Sequence, residues 1–221
     1  MNGGPVRLWY KTGDVTTLCE LPRNGVVCLD VETTGLNPRA DEVLQIALIR
    51  GDDKLLVSRY VRPEHHLSWP SAQRIHGISP SMLEGCSPLS SLKLQIESIL
   101  VDADLIVGYN VDFDLSFLRA AGVFLGSAPV FDVMREFAPV VGRWNANRQR
   151  YAWVSLAYCA QFYGIPLRAH DALEDARATL GCFWAMLERG SAGSRPASPR
   201  SYLDVVASYS RAKNSGERRA R

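Results

Sequence analysis

Val26-Val27-Cys28-Leu29-Asp30-Val31-Glu32-Thr33-Thr34-Gly35 is an apolar run that turns acidic and then breaks. Four apolar residues in a row read as a strand buried on both faces. Residues i and i+2 of a strand point to the same side, so Asp30 and Glu32 stand side by side at its end. Two adjacent carboxylates repel unless a cation lies between them. Oxygen-only donors suit a hard ion such as Mg²⁺ or Mn²⁺. Taken alone the triplet is a weak signal, since a polar strand end accounts for it equally well.

Outward from this strand the pattern is that of a mixed sheet. Thr33-Thr34-Gly35-Leu36-Asn37-Pro38 is turn composition. Residues 43–49 and 55–61 are β-rich runs split by Gly51-Asp52-Asp53, which predicts a hairpin and a sheet that starts antiparallel. Ser79-Pro80 reads as a helix start, and Leu92, Ile96, Ile99 and Leu100 give a helical stripe. Residues 105–109 read as a short buried strand, 113–121 as a helix closed by Gly122, and 155–163 as another closed by Gly164. Asp171-Ala172-Leu173-Glu174 is a capping box opening a last helix. Its apolar face carries Leu173, Ala176, Leu180, Phe183, Trp184 and Leu187, and Gly190 ends it. The expected fold class is α/β: a mixed sheet of about five strands, the first three antiparallel, flanked by helices.

Composition sets the bounds. The chain has 221 residues, 47% hydrophobic and 22% charged, which excludes a largely disordered or collagen-like chain. No apolar run approaches the roughly 20 residues of a membrane span. Met1-Asn2-Gly3-Gly4 has no apolar signal core, so export is not expected. The five cysteines, at 19, 28, 86, 159 and 182, form no C-x-x-C pair, which argues against zinc and for reduced thiols in a cytoplasmic protein. The net charge is +2, but residues 191–221 carry +5 and leave −3 for residues 1–190. We expect an N-terminal extension over 1–24 with a short strand at 6–10, one domain over 25–190, and a basic linker and tail over 191–221 with a short helix at 201–213.

Two further clusters carry acids. Asp112 and Asp114 follow the strand at 105–109, at the end of a buried strand where sites gather in α/β sheets. Each alone reads equally as a first-turn acid of the next helix. His170 stands just outside the capped last helix and Asp175 in its first turn, which suits a general base beside a metal ligand. Residues 143–151 form an irregular basic and aromatic stretch, either a nucleic-acid-contacting loop or a solvated loop with Trp144 and Tyr151 tucked into the core. No G-x-G-x-x-G follows the first strand, which excludes a dinucleotide site there.

Together these segments resemble the DEDDh exonucleases, the family of the proofreading ε subunit of bacterial DNA polymerase III. Asp30-Val31-Glu32-Thr33-Thr34-Gly35 matches its first motif, D-x-E-T-T-G. Asn110-Val111-Asp112-Phe113-Asp114 matches N-x-x-F-D, with the register of Phe113 favouring Asp114 over Asp112. His170 through Ala176 matches H-x-A-x-x-D-A, and Ile75-His76-Gly77-Ile78 matches a fourth segment between the first two motifs. The resemblance covers about residues 25–190 and implies an RNase H-like fold.

What it implies for the site is specific. Asp30, Glu32, Asp114 and Asp175 would be the metal-site acids for two divalent cations, Mg²⁺ or Mn²⁺, and His170 the general base. Thr33, Leu36 and His76 would line the 3′-terminal nucleotide. Ser71 stands where the proofreading subunits often carry a Glu. The expected activity is 3′→5′ exonuclease, on DNA first and on RNA as the alternative within the family. A non-catalytic nucleic-acid-binding module is the rival of a different class. The expected partners are a nucleic acid with a free 3′ end, single-stranded or frayed, and a polymerase subunit through the 191–221 tail, with no membrane.

Overall fold

The computed structural model of the protein describes Leu18 and residues 21–191. The expected strand at 6–10 and helix at 201–213 lie outside the described residues. The sheet has five strands: β1 (Val26–Thr33), β2 (Val43–Arg50), β3 (Leu55–Tyr60), β4 (Leu105–Gly108) and β5 (Val130–Asp132). Their order is β3-β2-β1-β4-β5. β1 pairs antiparallel with β2, and β2 with β3, while β4 and β5 join parallel on the other side of β1. The antiparallel first three strands are as the turn signals predict.

Helices cover both faces. They are α1 (Pro70–His76), α2 (Lys93–Val101), α3 (Val111–Ala120), α4 (Val133–Val141), α5 (Leu156–Tyr163) and α6 (Ala172–Ser191). The strand alternation sorts the core into two layers. Val26, Cys28, Ala47, Ile49, Leu105 and Val107 pack with Phe137, Cys159, Ala176 and Phe183 from α4, α5 and α6. Val27, Leu29, Ile46, Leu48 and Ile106 pack with Ile96, Leu100, Leu115 and Leu118 from α2 and α3.

The structure corrects several boundaries. Ser79-Pro80 opens only a 3₁₀ turn, Pro80–Leu83, and the α-helix of this region is α1, which starts at Pro70 and ends at Gly77 with φ +76°. α3 begins at Val111, two residues before the expected start, and α6 runs on through Gly190 to Ser191. β5 and α4 have no counterpart in the reading of the sequence. β5 is three residues long, too short for alternation to register, and Pro139 sits inside α4. The 143–151 stretch is a small hairpin, β6 (Trp144–Asn145) with β7 (Arg150–Tyr151). Trp144 is 57% exposed, so the alternative of rings tucked into the core is not what the fold adopts.

Candidate active site

The site is built where β1 outruns β4. Pairing between them stops at Cys28↔Val107, because β4 ends at Gly108. The edge of β1 beyond that point needs another acceptor. Asp114 supplies it: its Oδ1 accepts the Val31 N–H at 3.1 Å, and the residue is only 3% exposed. Val31 lies between Asp30 and Glu32, so this bond sets α3 against the acidic end of the strand.

The turn before α3 is fixed in the same way. Asn110 has φ +61°, a left-handed conformation that Asn tolerates better than most residues. Its N–H donates to Asp132 Oδ1 at 3.1 Å. The same Asp132 oxygen caps α4 by accepting from Met134 and Arg135. Asp112, by contrast, turns away to Arg135 at 2.5 Å. Of the two motif acids, Asp114 is therefore the one that faces the Asp30-x-Glu32 pair.

α6 brings the remaining groups. Gln45 pairs with Glu32 across β1 and β2. Its Nε2 donates to Asp171 Oδ2 at 2.9 Å, and its Oε1 accepts the Ala172 N–H at 3.2 Å. Asp171 Oδ1 caps the helix through Leu173 and Glu174, as its capping motif predicts, while the Glu174 carboxylate takes up Arg177. Cys28 Sγ donates to the Ala176 carbonyl one turn further on. Gln45 went unnoticed in the sequence, although a lone amide inside the apolar run 43–49 is a signal.

His170 has φ +74° and is exposed, and its N–H donates to Asp175 Oδ2 at 3.1 Å. Ligand atoms of Glu32, His170 and Asp175 lie within 4.8 Å of one another. Asp30 stands close enough to feel Asp114, Asp175 and Glu32.

The electrostatics record this crowding. Burial, then Asp114, Asp175 and Glu32, push the Asp30 carboxyl well above the carboxylate range. Burial also raises Asp114, against the Val31 hydrogen bond that lowers it. Glu32 is pushed up to about 8 by burial and by Asp175 and Asp171. Burial takes Asp175 to about 6, with the His170 N–H pulling the other way. Asp175 Oδ1 is buried with no hydrogen-bond partner. An acidic cluster held against its own repulsion, with an orphaned carboxylate oxygen, fits a site for divalent cations.

The turn after β1 gathers the other three residues. Thr33 is buried and its hydroxyl donates to the Gly35 carbonyl at 2.6 Å. His76 Nδ1 accepts the Ile78 N–H at 3.0 Å, so Nε2 carries the proton and donates to the Thr33 carbonyl at 3.2 Å. Leu36 stands beside them 84% exposed. Gly35 leaves room for the Asp41 carboxylate, which a Cβ would approach to 2.5 Å and which accepts from Thr34 Oγ1 and the Asn37 N–H.

Known proteins share this architecture. Residues 27–183 match the family model described as Exonuclease. A DNA polymerase III PolC-type protein of Thermotoga petrophila is 30% identical over 172 residues, covering 73% of this chain but 12% of that protein. The chain thus spans about an eighth of the length of the PolC-type relatives it matches. An uncharacterized exonuclease of Escherichia phage 186 is 26% identical, covering 75% of this chain and 90% of its own length. In three dimensions the fold matches zinc-bound exonuclease I of E. coli in complex with single-stranded DNA. The TM-score is 0.61 and the identity 23%, covering 76% of this chain and 41% of that one. With the model matched across most of its length, the chain belongs to the Exonuclease family.

Proposed function

We propose that the chain is a metal-dependent 3′→5′ exonuclease that releases nucleoside 5′-monophosphates from single-stranded or frayed ends, of DNA first. One observation carries the reading: Glu32, His170 and Asp175 present ligand atoms within 4.8 Å of one another, with Asp30 and Asp114 adjoining. The PolC-type and phage relatives, and the likeness to an exonuclease bound to single-stranded DNA, support the substrate class.

Asp30, Glu32, Asp114 and Asp175 would hold two divalent cations, Mg²⁺ or Mn²⁺. Such ions, when bound, neutralise phosphate charge and make a nucleophile available at neutral pH. The rest falls to the chain. His170 lies outside α6, exposed, and takes the proton from the attacking water. Leu36 offers apolar surface to the terminal base. Thr33 and His76, bonded to one another, hold the turn that cradles the terminal nucleotide.

The test is a time course on 5′-labelled single-stranded DNA and RNA of one sequence, with Mg²⁺, Mn²⁺ or EDTA. A metal-dependent ladder shortening from the 3′ end is expected. His170→Ala and Asp30→Asn should each lower turnover by at least about 10²-fold. The faster polymer separates a DNA role from an RNA role. Normal activity in Asp30→Asn defeats the assigned acidic site, whereas no degradation of either polymer by the folded wild type with either metal defeats the proposal and favours a binding module.

A further inference from the structure

The β6–β7 hairpin and the segment after it lie outside the acidic site, yet they collect the residue types that hold a nucleic-acid strand. Residues 143–154 contain Arg143, Arg148, Arg150, Trp144, Tyr151 and Trp153, and no acid. This stands against a net −3 over residues 1–190. Trp144 is 57% exposed and Trp153 42%, which is unusual for the two largest apolar side chains.

The rings are organised. Trp144 and Tyr151 meet edge to face, with centroids 5.2 Å apart, across the β6–β7 pair. The Arg150 guanidinium carbon lies 3.6 Å from the Trp153 ring centre. Trp144, Arg150, Tyr151 and Trp153 line one open cleft with Arg135 and Pro139.

That cleft adjoins the elements that frame the candidate active site, through Arg135 of α4. The Arg135 guanidinium carbon lies 5.8 Å from the Trp153 ring centre, and Arg135 pairs with Asp132 at 3.4 Å, whose other oxygen holds the Asn110 turn that opens α3. The next residue, Val154, accepts the Tyr109 hydroxyl through its carbonyl at 2.8 Å, just past the end of β4. Trp153 thus neighbours Arg135 of α4 and, through Val154, the end of β4.

We propose that this hairpin is a stacking platform for the single-stranded nucleic acid leading to the 3′ end, its bases resting on Trp153 and then on Trp144 and Tyr151 while Arg150 meets phosphate. The inference rests on the nuclease reading and adds a second binding region to it. Stacking on aromatic rings is sequence-tolerant, as removal of successive nucleotides demands, and the arginines supply the charge that the acidic site lacks.

The test uses the full chain in EDTA and fluorescence anisotropy with 5′-labelled oligothymidylates of 3 and 16 nucleotides. The Trp144→Ala/Trp153→Ala double variant is compared with Trp144→Phe/Trp153→Phe, which keeps the rings. The alanine pair should weaken the 16-mer at least tenfold more than it weakens the 3-mer, and the phenylalanine pair should recover most of that loss. Arg150→Ala should make 16-mer binding less salt-dependent. A melting curve for each variant establishes that it is folded. Equal affinity of wild type and the alanine pair for the 16-mer, or equal losses on both lengths, overturns the platform. Failure of the underlying nuclease reading shows separately, as absence of metal-dependent shortening of the 16-mer by the wild type.

Discussion

Glu32→Gln in the metal-free protein turns the crowding of the acids into a measurable stability. Its carboxyl is raised from an ordinary 4.5 to about 8 in the fold, by burial first and then by Asp175 and Asp171. Between those two pH values the folded state holds a proton that the unfolded chain has released, so stability falls as pH rises through that window. At ~1.4 kcal/mol per pH unit, the ionised carboxylate costs the fold at most ~5 kcal/mol above pH 8. Glutamine keeps the shape and removes the charge. The two proteins should therefore unfold alike near pH 4.5, and the variant should gain steadily to about pH 8 and level off above it. For a chain of this size the gap reaches ~10 °C in Tm. Thermal unfolding in EDTA from pH 4.5 to 9 measures it. A repeat with Mg²⁺ should raise the wild type more than the variant, because ions that bind only the folded state stabilise it. If wild type and variant keep a constant separation across the pH range, or if Mg²⁺ raises both equally, Glu32 is not the strained acid described.

Two substitutions away from the acids test the supporting frame. Asp132→Ala removes the cap of α4 and leaves the Asn110 N–H without its acceptor. It should cost ~2–4 kcal/mol in denaturant unfolding, and turnover should drop because the turn that aims Asp114 loosens. Thr179 is 1% exposed and its hydroxyl has no hydrogen-bond partner. Thr179→Val should therefore gain ~1 kcal/mol at unchanged denaturant sensitivity; a loss would mean that the hydroxyl is satisfied after all.

Much of this molecule is written locally. The hairpin of β2 and β3 follows from two β-rich runs around Gly51-Asp52-Asp53. The start of α6 follows from Asp171, whose side chain does cap it. The acids are singled out by the family motifs rather than by local pattern, since Asp30 and Glu32 on one strand face and His170 and Asp175 at one helix start are each weak signals alone. What stayed hidden depends on partners distant in sequence. Gln45 is an ordinary polar residue in a strand until Asp171, 126 positions away, meets it. Asp132 goes unread in the sequence, because its role depends on the Asn110 N–H 22 positions away. That Asp112 pairs with Arg135 while Asp114 reaches Val31 is likewise visible only in three dimensions.

The two hydrogen bonds of Gln45 also bear on when the site comes into being. During synthesis Asp30, Glu32 and Asp114 emerge with the first two-thirds of the domain, whereas His170 and Asp175 arrive with its last helix. Until then the Gln45 amide on β2 has nothing to hold, and the acids of β1 look out over the uncovered core face that α6 later closes. A chain that ends before residue 170 therefore lacks His170 and Asp175. α6 contributes both to the hydrophobic layer, through Ala176 and Phe183, and to the cluster with Glu32 and His170, through Asp175.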